Sequence, residues 1–238
     1  MRFLVKLART AGFCMGVRRA MNAVLEAAHK GDRPIYTLGP LVHNQQAMAM
    51  LAAKSVTVVS SAEEAREGIL FIRAHGVAPA VRDSLERPGL EVRDMTCPHV
   101  RRAQKIIEKH AAQGCHALIV GDPGHAEVVG LLGHAAGRGH VVSTAEDVAA
   151  LPELAPVCVV AQTTQNSQRF EELVPLIQAR FPGAAIHNTV CRATDDRQAE
   201  VRLLAREVDA IIVVGGRHSA NTVRLAEIAR GEGVATYL

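Results

Sequence analysis

Tryptophan is missing from this 238-residue chain, and five Phe and two Tyr supply all of its aromatic area. A core of that composition is aliphatic, built from Ala, Val, Leu and Ile. Long hydrophobic runs are missing too. Stretches such as Ala210 to Val214 are far too short to span a membrane. Arg2 and Lys6 are followed by no apolar segment before Cys14, which argues against a signal peptide and for a cytoplasmic location. Neither sign of charge dominates: 27 Lys and Arg face 24 Asp and Glu, a formal charge of +3. That balance is too mild to make nucleic acid the main partner. No C-x-x-C pair occurs, and five cysteines, an odd number, argue against a disulfide framework. What stands out against this plain background is 11 His and 5 Cys.

Three of the cysteines mark a repeated order of elements. Cys14, Cys97 and Cys191 each follow a short strand-like segment, Phe3–Leu7, Leu90–Asp94 and Ala184–His187. Each also precedes a helical pattern. Val17, Ala20, Met21, Val24, Leu25 and Ala28 recur at helical spacing after Cys14, and Val100, Ala103 and Ile107 do so after Cys97, where Pro98 suits a first helical position. After Cys191, Thr194 and two aspartates read as a cap. Each helix leads to an aliphatic run ending at Gly39, Gly121 or Gly215, then to a polar loop with a histidine, a second helix and another strand. The first two repeats add a further strand with a polar end, Ile69–His75 and Val157–Thr163. This alternation predicts an α/β fold with mainly parallel sheets. It divides into three units around a pseudo-threefold axis: 15–96, 97–190, and an incomplete third made of 191–238 with 1–14. The Phe3–Leu7 strand is expected to join the third sheet.

Chemistry in parallel α/β units gathers at the carboxyl ends of strands. Cys14, Cys97 and Cys191 fall there, as do His43, His75, His125, Glu127, Thr163, Ser219 and Asn221. A threefold arrangement aims all of them at one point, and a helix N-terminus favours the thiolate that binds metals. Three thiolates suit either a zinc ion with a fourth His or water or a four-iron cluster with one iron left open. The wide ligand spacing favours the cluster. The three histidines with Ser219 and Asn221 form a donor set for a small phosphorylated ligand, helped by helix N-termini. Glu127 is the one carboxylate of the set, hence the candidate proton donor, and Thr163 is placed to position that proton. Cys115 and Cys158 read as core residues. Arg18–Arg19 and Arg101–Arg102 read as solvated helix faces, as do the other histidines (His29, His99, His110, His116, His134, His140, His187) as solvated residues; His218, beside Ser219, is left open.

Taken together, Gly12-Phe-Cys-Met-Gly-Val17, Val42-His-Asn44, Ala74-His-Gly-Val77, Thr96-Cys-Pro98, Gly124-His-Ala-Glu127, Gln162-Thr-Thr164, Cys191-Arg-Ala-Thr194 and Ser219-Ala-Asn221 resemble the LytB/IspH family of 4-hydroxy-3-methylbut-2-enyl diphosphate reductases of the non-mevalonate isoprenoid pathway. The resemblance implies a trefoil of three α/β domains around a [4Fe-4S] cluster on Cys14, Cys97 and Cys191. It implies that His43, His75, His125, Ser219 and Asn221 bind the substrate diphosphate and that Glu127 and Thr163 serve proton delivery. The reaction implied is reductive dehydroxylation of the allylic diphosphate to isopentenyl and dimethylallyl diphosphate, with ferredoxin or flavodoxin as electron donor. Two departures accompany it. Ala220 stands where the family usually has a second serine, and the family normally continues past the position of Leu238. Two further readings stay open: a truncated, non-catalytic protein that binds cluster or diphosphate, and a zinc hydrolase with Glu127 as general base.

Overall fold

The computed structural model describes residues 4–238. The first helix, α1 (Met15–Lys30), closes at Gly31, whose left-handed φ of 64° lets its N–H reach Ala27 O. It is followed by β1 (Ile35–Leu38), α2 (Gln45–Ala52), β2 (Val56–Val59), β3 (Gly68–Ile72), α3 (Pro79–Ser84) and β4 (Leu90–Asp94). These strands form one parallel sheet in the order β2-β1-β3-β4. The pattern then recurs as α4 (Pro98–Ala111), β5 (His116–Val120), α5 (Ala126–Gly133), β6 (Gly139–Val142), α6 (Ala145–Ala150), β7 (Val157–Ala161), α7 (Ser167–Arg180) and β8 (Ala185–His187). The second sheet has the same order, β6-β5-β7-β8, again all parallel. A third set, α8 (Arg192–Ala205), β9 (Ala210–Ile212), α9 (Ala220–Gly231) and β10 (Ala235–Tyr237), makes a two-stranded parallel sheet.

Every residue of β3 and β7 is buried, as expected of parallel strands covered on both faces. Their side chains alternate between two cores. Ile69 and Phe71 join Ala20, Met21 and Val24 of α1, whereas Leu70 and Ile72 join Leu85 and Leu90. Likewise Val157, Val159 and Ala161 face Phe170 and Leu173 of α7, while Cys158 and Val160 face Ala103 and Ile107 of α4. Both fully buried strands therefore end at fixed points, and these ends carry His75 and Thr163. Cys115 and Cys158 are buried with their thiols free, as core residues should be.

The third core is small: Val201, Ile228 and Ala229 are its buried members. Here three expectations fail. Leu4–Leu7 form no strand, and Leu4, Val5 and Leu7 are exposed; Phe3 lies outside the described residues. An apolar segment needs a free sheet edge beside it to become a strand, and the residues that follow this one, 9–12, are instead fastened to α8. Glu200 accepts hydrogen bonds from the N–H groups of Arg9 and Thr10 (2.7 and 2.8 Å), and Arg197 donates to Thr10 O and Gly12 O (3.1 and 2.9 Å). The aliphatic run from Ala210 is strand only to Ile212, with the Val213 N–H making a last bond to Tyr237 O at 2.8 Å. Thr194 does not cap α8; Cys191 does, and Thr194 lies buried in the first turn.

The units meet through backbone and charge. A Cβ on Gly133 would stand 2.2 Å from Ala78 Cβ, and one on Gly216 would stand 2.1 Å from His43 O. Arg224 of α9 grips Asp122 with two bonds of 2.6 and 2.8 Å and donates through Nε to Thr164 O at 2.8 Å. Among the described residues no helix is long and apolar enough to cross a membrane. The Gly133 contact yields a prediction: Gly133→Val wedges α5 off the loop before α3 and should cost roughly 1–3 kcal/mol in chemical denaturation. An unchanged midpoint would mean that the two units are not in register through α5.

Candidate functional site

Each of the three sequence-predicted cysteines occupies the same structural position. Cys14, Cys97 and Cys191 are the N-cap residues of α1, α4 and α8, each with extended φ/ψ and no side-chain cap bond. Two of them are held by equivalent backbone bonds. Cys97 N–H donates to Ala74 O and Cys191 N–H donates to Thr163 O, both at 2.9 Å. These bonds fix each cysteine beside the polar end of β3 or β7. Cys14 is held by other means, through the α8 clamp on residues 9–12 and through Arg19, which donates to Met95 O and Thr96 O (3.0 and 2.7 Å). Arg19 is thus a strut between α1 and the segment before Cys97 and not simply a solvated side chain. Arg101 is likewise tied, to Asp94.

The sulfurs leave a space between them. A Cβ on Gly16 would stand 2.9 Å from Cys97 Sγ and 4.0 Å from Cys14 Sγ, so the two sulfurs are no farther apart than the sum of those distances. Only a residue without a side chain keeps that gap open. Burial pushes the Cys97 thiol up, and the neighbouring Cys191 and Cys14 add to this, against hydrogen bonds from the His99 and Val100 amides. A metal cation in the space would replace that proton outright. Among the described residues, no three His, Cys, Asp or Glu side chains converge closely enough to hold one ion.

Beside the cysteines stand three imidazoles. Ring centroids lie 5.2 Å apart for His43 and His75, 5.4 Å for His75 and His125, and 6.4 Å for His43 and His125. Burial holds His75 down to about 3, with the charges of His125 and Arg73 adding to it. Burial also holds His125 at about 4 against the pull of Asp122, and it lowers His43. All three are neutral at pH 7, and His75 Nδ1 is buried with no partner. Glu127 is 1% exposed, and burial pushes it up to about 7 although Thr163 donates to it twice, from N–H (2.5 Å) and Oγ1 (2.7 Å). Ser219 caps α9 with a long 3.4 Å bond from Thr222 N–H, and Asn221 lies on its first turn. The contact of Gly216 with His43 brings that turn to the histidines.

The family model described as LytB protein matches residues 5–238. The chain belongs to the LytB family. A protein of Alkaliphilus oremlandii named 4-hydroxy-3-methylbut-2-enyl diphosphate reductase is 41% identical over 229 residues, covering 96% of this chain and 82% of the relative. One of the same name from Anaeromyxobacter sp. strain Fw109-5 is 44% identical over 227 residues, covering 95% and 80%. The solved E-1-hydroxy-2-methyl-but-2-enyl-4-diphosphate reductase of Plasmodium falciparum superposes with a TM-score of 0.90 at 28% identity, over 95% of this chain and 73% of that one. A second solved structure, of an (E)-4-hydroxy-3-methyl-but-2-enyl diphosphate reductase described as the terminal enzyme of the non-mevalonate pathway, gives 0.74 at 39% identity, over 97% and 83%.

Three residues of this LytB chain that the motifs do not single out shape the site. Arg73 is half-buried, its Nε has no hydrogen-bond partner, and its charge bears on all three histidines. It fits because Gly39 has no Cβ, which would stand 2.9 Å from Arg73 Nη1. An arginine at the end of an otherwise buried apolar strand was the available signal. Asp122 and Arg224 leave no sequence trace, because their pairing depends on how two units meet. Several histidines read as solvated are paired instead: His134 with Glu108, His110 with His187, and His116 with His140.

The folded-state shifts have a definite sign. His75 and His125 stay neutral while the unfolded chain takes up protons below 6.5, so their contribution to stability is lost as pH falls from there toward 3–4. Glu127 holds its proton while the unfolded chain releases it above 4.5, so its contribution is lost as pH rises from 4.5 through about 7. Glu127→Gln should therefore flatten the stability profile between those two pH values in denaturation curves. A profile identical to the parent would place the Glu127 proton elsewhere.

Proposed function

We propose that this chain reduces a small allylic diphosphate, 4-hydroxy-3-methylbut-2-enyl diphosphate, by removing its hydroxyl to give isopentenyl and dimethylallyl diphosphate. The observation that carries the reading is the juxtaposition of three helix-capping thiols with three neutral imidazoles and a buried, proton-holding Glu127. Family membership adds to it, since the relatives carry that reductase name over four-fifths of their length.

Removal of the hydroxyl as water consumes two electrons and two protons, one proton ending on the departing oxygen and one on carbon. A [4Fe-4S] cluster on Cys14, Cys97 and Cys191 would supply the electrons singly and a Lewis-acidic iron for the hydroxyl. The space left by Gly16 between sulfurs fits such a group. The diphosphate is bound by His43, His75 and His125, with Ser219 and Asn221 at the N-terminus of α9, where backbone donors favour an anion. The unmatched charge of Arg73 supplies positive potential without a carboxylate to cancel it. As the anion arrives, it favours protonated imidazoles, so binding draws protons into the site.

Glu127 supplies the proton to the leaving oxygen. With its pKa near 7 it holds that proton at working pH yet releases it readily. Thr163 Oγ1, bonded to Glu127 Oε2, can accept from the acid and donate onward, so it relays as well as positions. Burial keeps bulk water from that path. A second reading, binding of cluster or diphosphate without turnover, is favoured by the third sheet, whose two strands leave Ile212 and Val214 exposed.

The test is anaerobic reconstitution followed by turnover of the allylic diphosphate with reduced methyl viologen. Formation of both products is the expected result, and tight binding without turnover would install the second reading. Glu127→Gln should lower kcat by about 10²–10⁴-fold with little change in diphosphate binding. The same variant at full rate would remove Glu127 from the proton path.

A further inference from the structure

The outer face of α4 carries a groove of ≈ 420 Å³ lined by Pro98, Arg101, Arg102, Lys105, Ile106 and Lys109. Four cations thus lie along one helix stripe over a floor of proline and isoleucine. The groove starts at Pro98, the residue next to Cys97. Local folding does not account for these charges. The first turn of α4 contains no acid and ends on arginine, the opposite of what the helix dipole favours. Glu108, the one carboxylate of the helix, is turned to His134. Arg101 shares Asp94 with Arg82, whereas Arg102, Lys105 and Lys109 have no ion-pair partner among the described residues.

We propose that this groove docks a small acidic protein that carries one electron at a time, so that its electrons enter beside Cys97. The proposal rests on the reductase reading, which requires two single-electron deliveries per turnover and therefore a partner that binds and leaves twice. A cationic rim over a short apolar floor suits such an encounter. Opposite charge speeds association, and a contact area under about 1,200 Å² keeps release fast. A nucleic acid fits less well, because no aromatic side chain lines the groove to stack a base. At the same end of α4, the start of α1 adds two exposed apolar residues, Phe13 (42%) and Met15 (51%), of the kind that fill the centre of a protein interface.

The test compares the parent chain with Arg102→Glu/Lys105→Glu/Lys109→Glu, all exposed positions outside the site described above. Binding of an acidic plant-type [2Fe–2S] ferredoxin is measured by calorimetry at low and at physiological salt, beside reduction of the allylic diphosphate by methyl viologen. The expected result is ferredoxin binding weakened by at least about tenfold at low salt, a flatter salt dependence, and an unchanged viologen-driven rate. Arg102→Lys should keep the affinity. Equal ferredoxin affinity in parent and triple variant would overturn the docking surface while leaving the reductase reading intact. So would a parent chain that binds a single-stranded DNA oligonucleotide as tightly as it binds ferredoxin. Loss of viologen-driven turnover in the parent itself would instead strike the reductase reading, and the binding comparison would still decide the groove.

Discussion

The architecture depends on one local constraint, a cysteine at the junction where an edge strand's end becomes a helix cap. An N-cap residue needs extended φ/ψ, which matches the strand it follows, and its side chain is free to leave the helix axis. In the first two units the junction is pinned further, by Cys97 N–H on Ala74 O and Cys191 N–H on Thr163 O. Those two bonds tie metal-ligand candidates to the ends of β3 and β7, the two strands buried along their whole length. A shift of either strand by one residue would move a cysteine and a site residue together. The third junction has no such strand, and the clamp of Glu200 and Arg197 on residues 9–12 takes its place.

Burial then sets the chemistry. One environment keeps three imidazoles uncharged and a carboxylate protonated, because desolvation acts against whichever form carries charge. The site is therefore short of negative charge while holding an unmatched guanidinium at Arg73. In the proposed reaction such a site receives an anion that brings its own charge and holds a proton close to where the hydroxyl leaves. The basic stripe on α4 shows the same imbalance on the outside, next to Cys97.

Much of this was legible in the sequence, for a physical reason. Parallel strands buried on both faces must be continuous apolar runs, and functional residues cluster at their carboxyl ends, so the repeat of strand, cysteine and helix could be read without coordinates. Leu90–Asp94 was read to the residue as a strand, whereas Phe3–Leu7 had the apolar content of a strand but residues 4–7 join no sheet. Thr194 misled because Thr-Asp-Asp is a strong local cap signal, while the bond from Cys191 to Thr163 starts the helix earlier. Gly216 and the Asp122–Arg224 pair were out of reach, since each matters only through what another unit presses against it, and the fit of Gly39 to Arg73 depends on how two neighbouring strand ends meet.

The central claim is that Cys14, Cys97 and Cys191 together hold one iron–sulfur group with an iron left for substrate. Mössbauer spectroscopy of anaerobically reconstituted, iron-57-labelled protein tests it most directly. The account predicts about four irons per chain, one of them spectroscopically distinct and shifted when the allylic diphosphate is added. A colourless protein with one tightly bound zinc, or irons that are all alike and indifferent to the diphosphate, would contradict it.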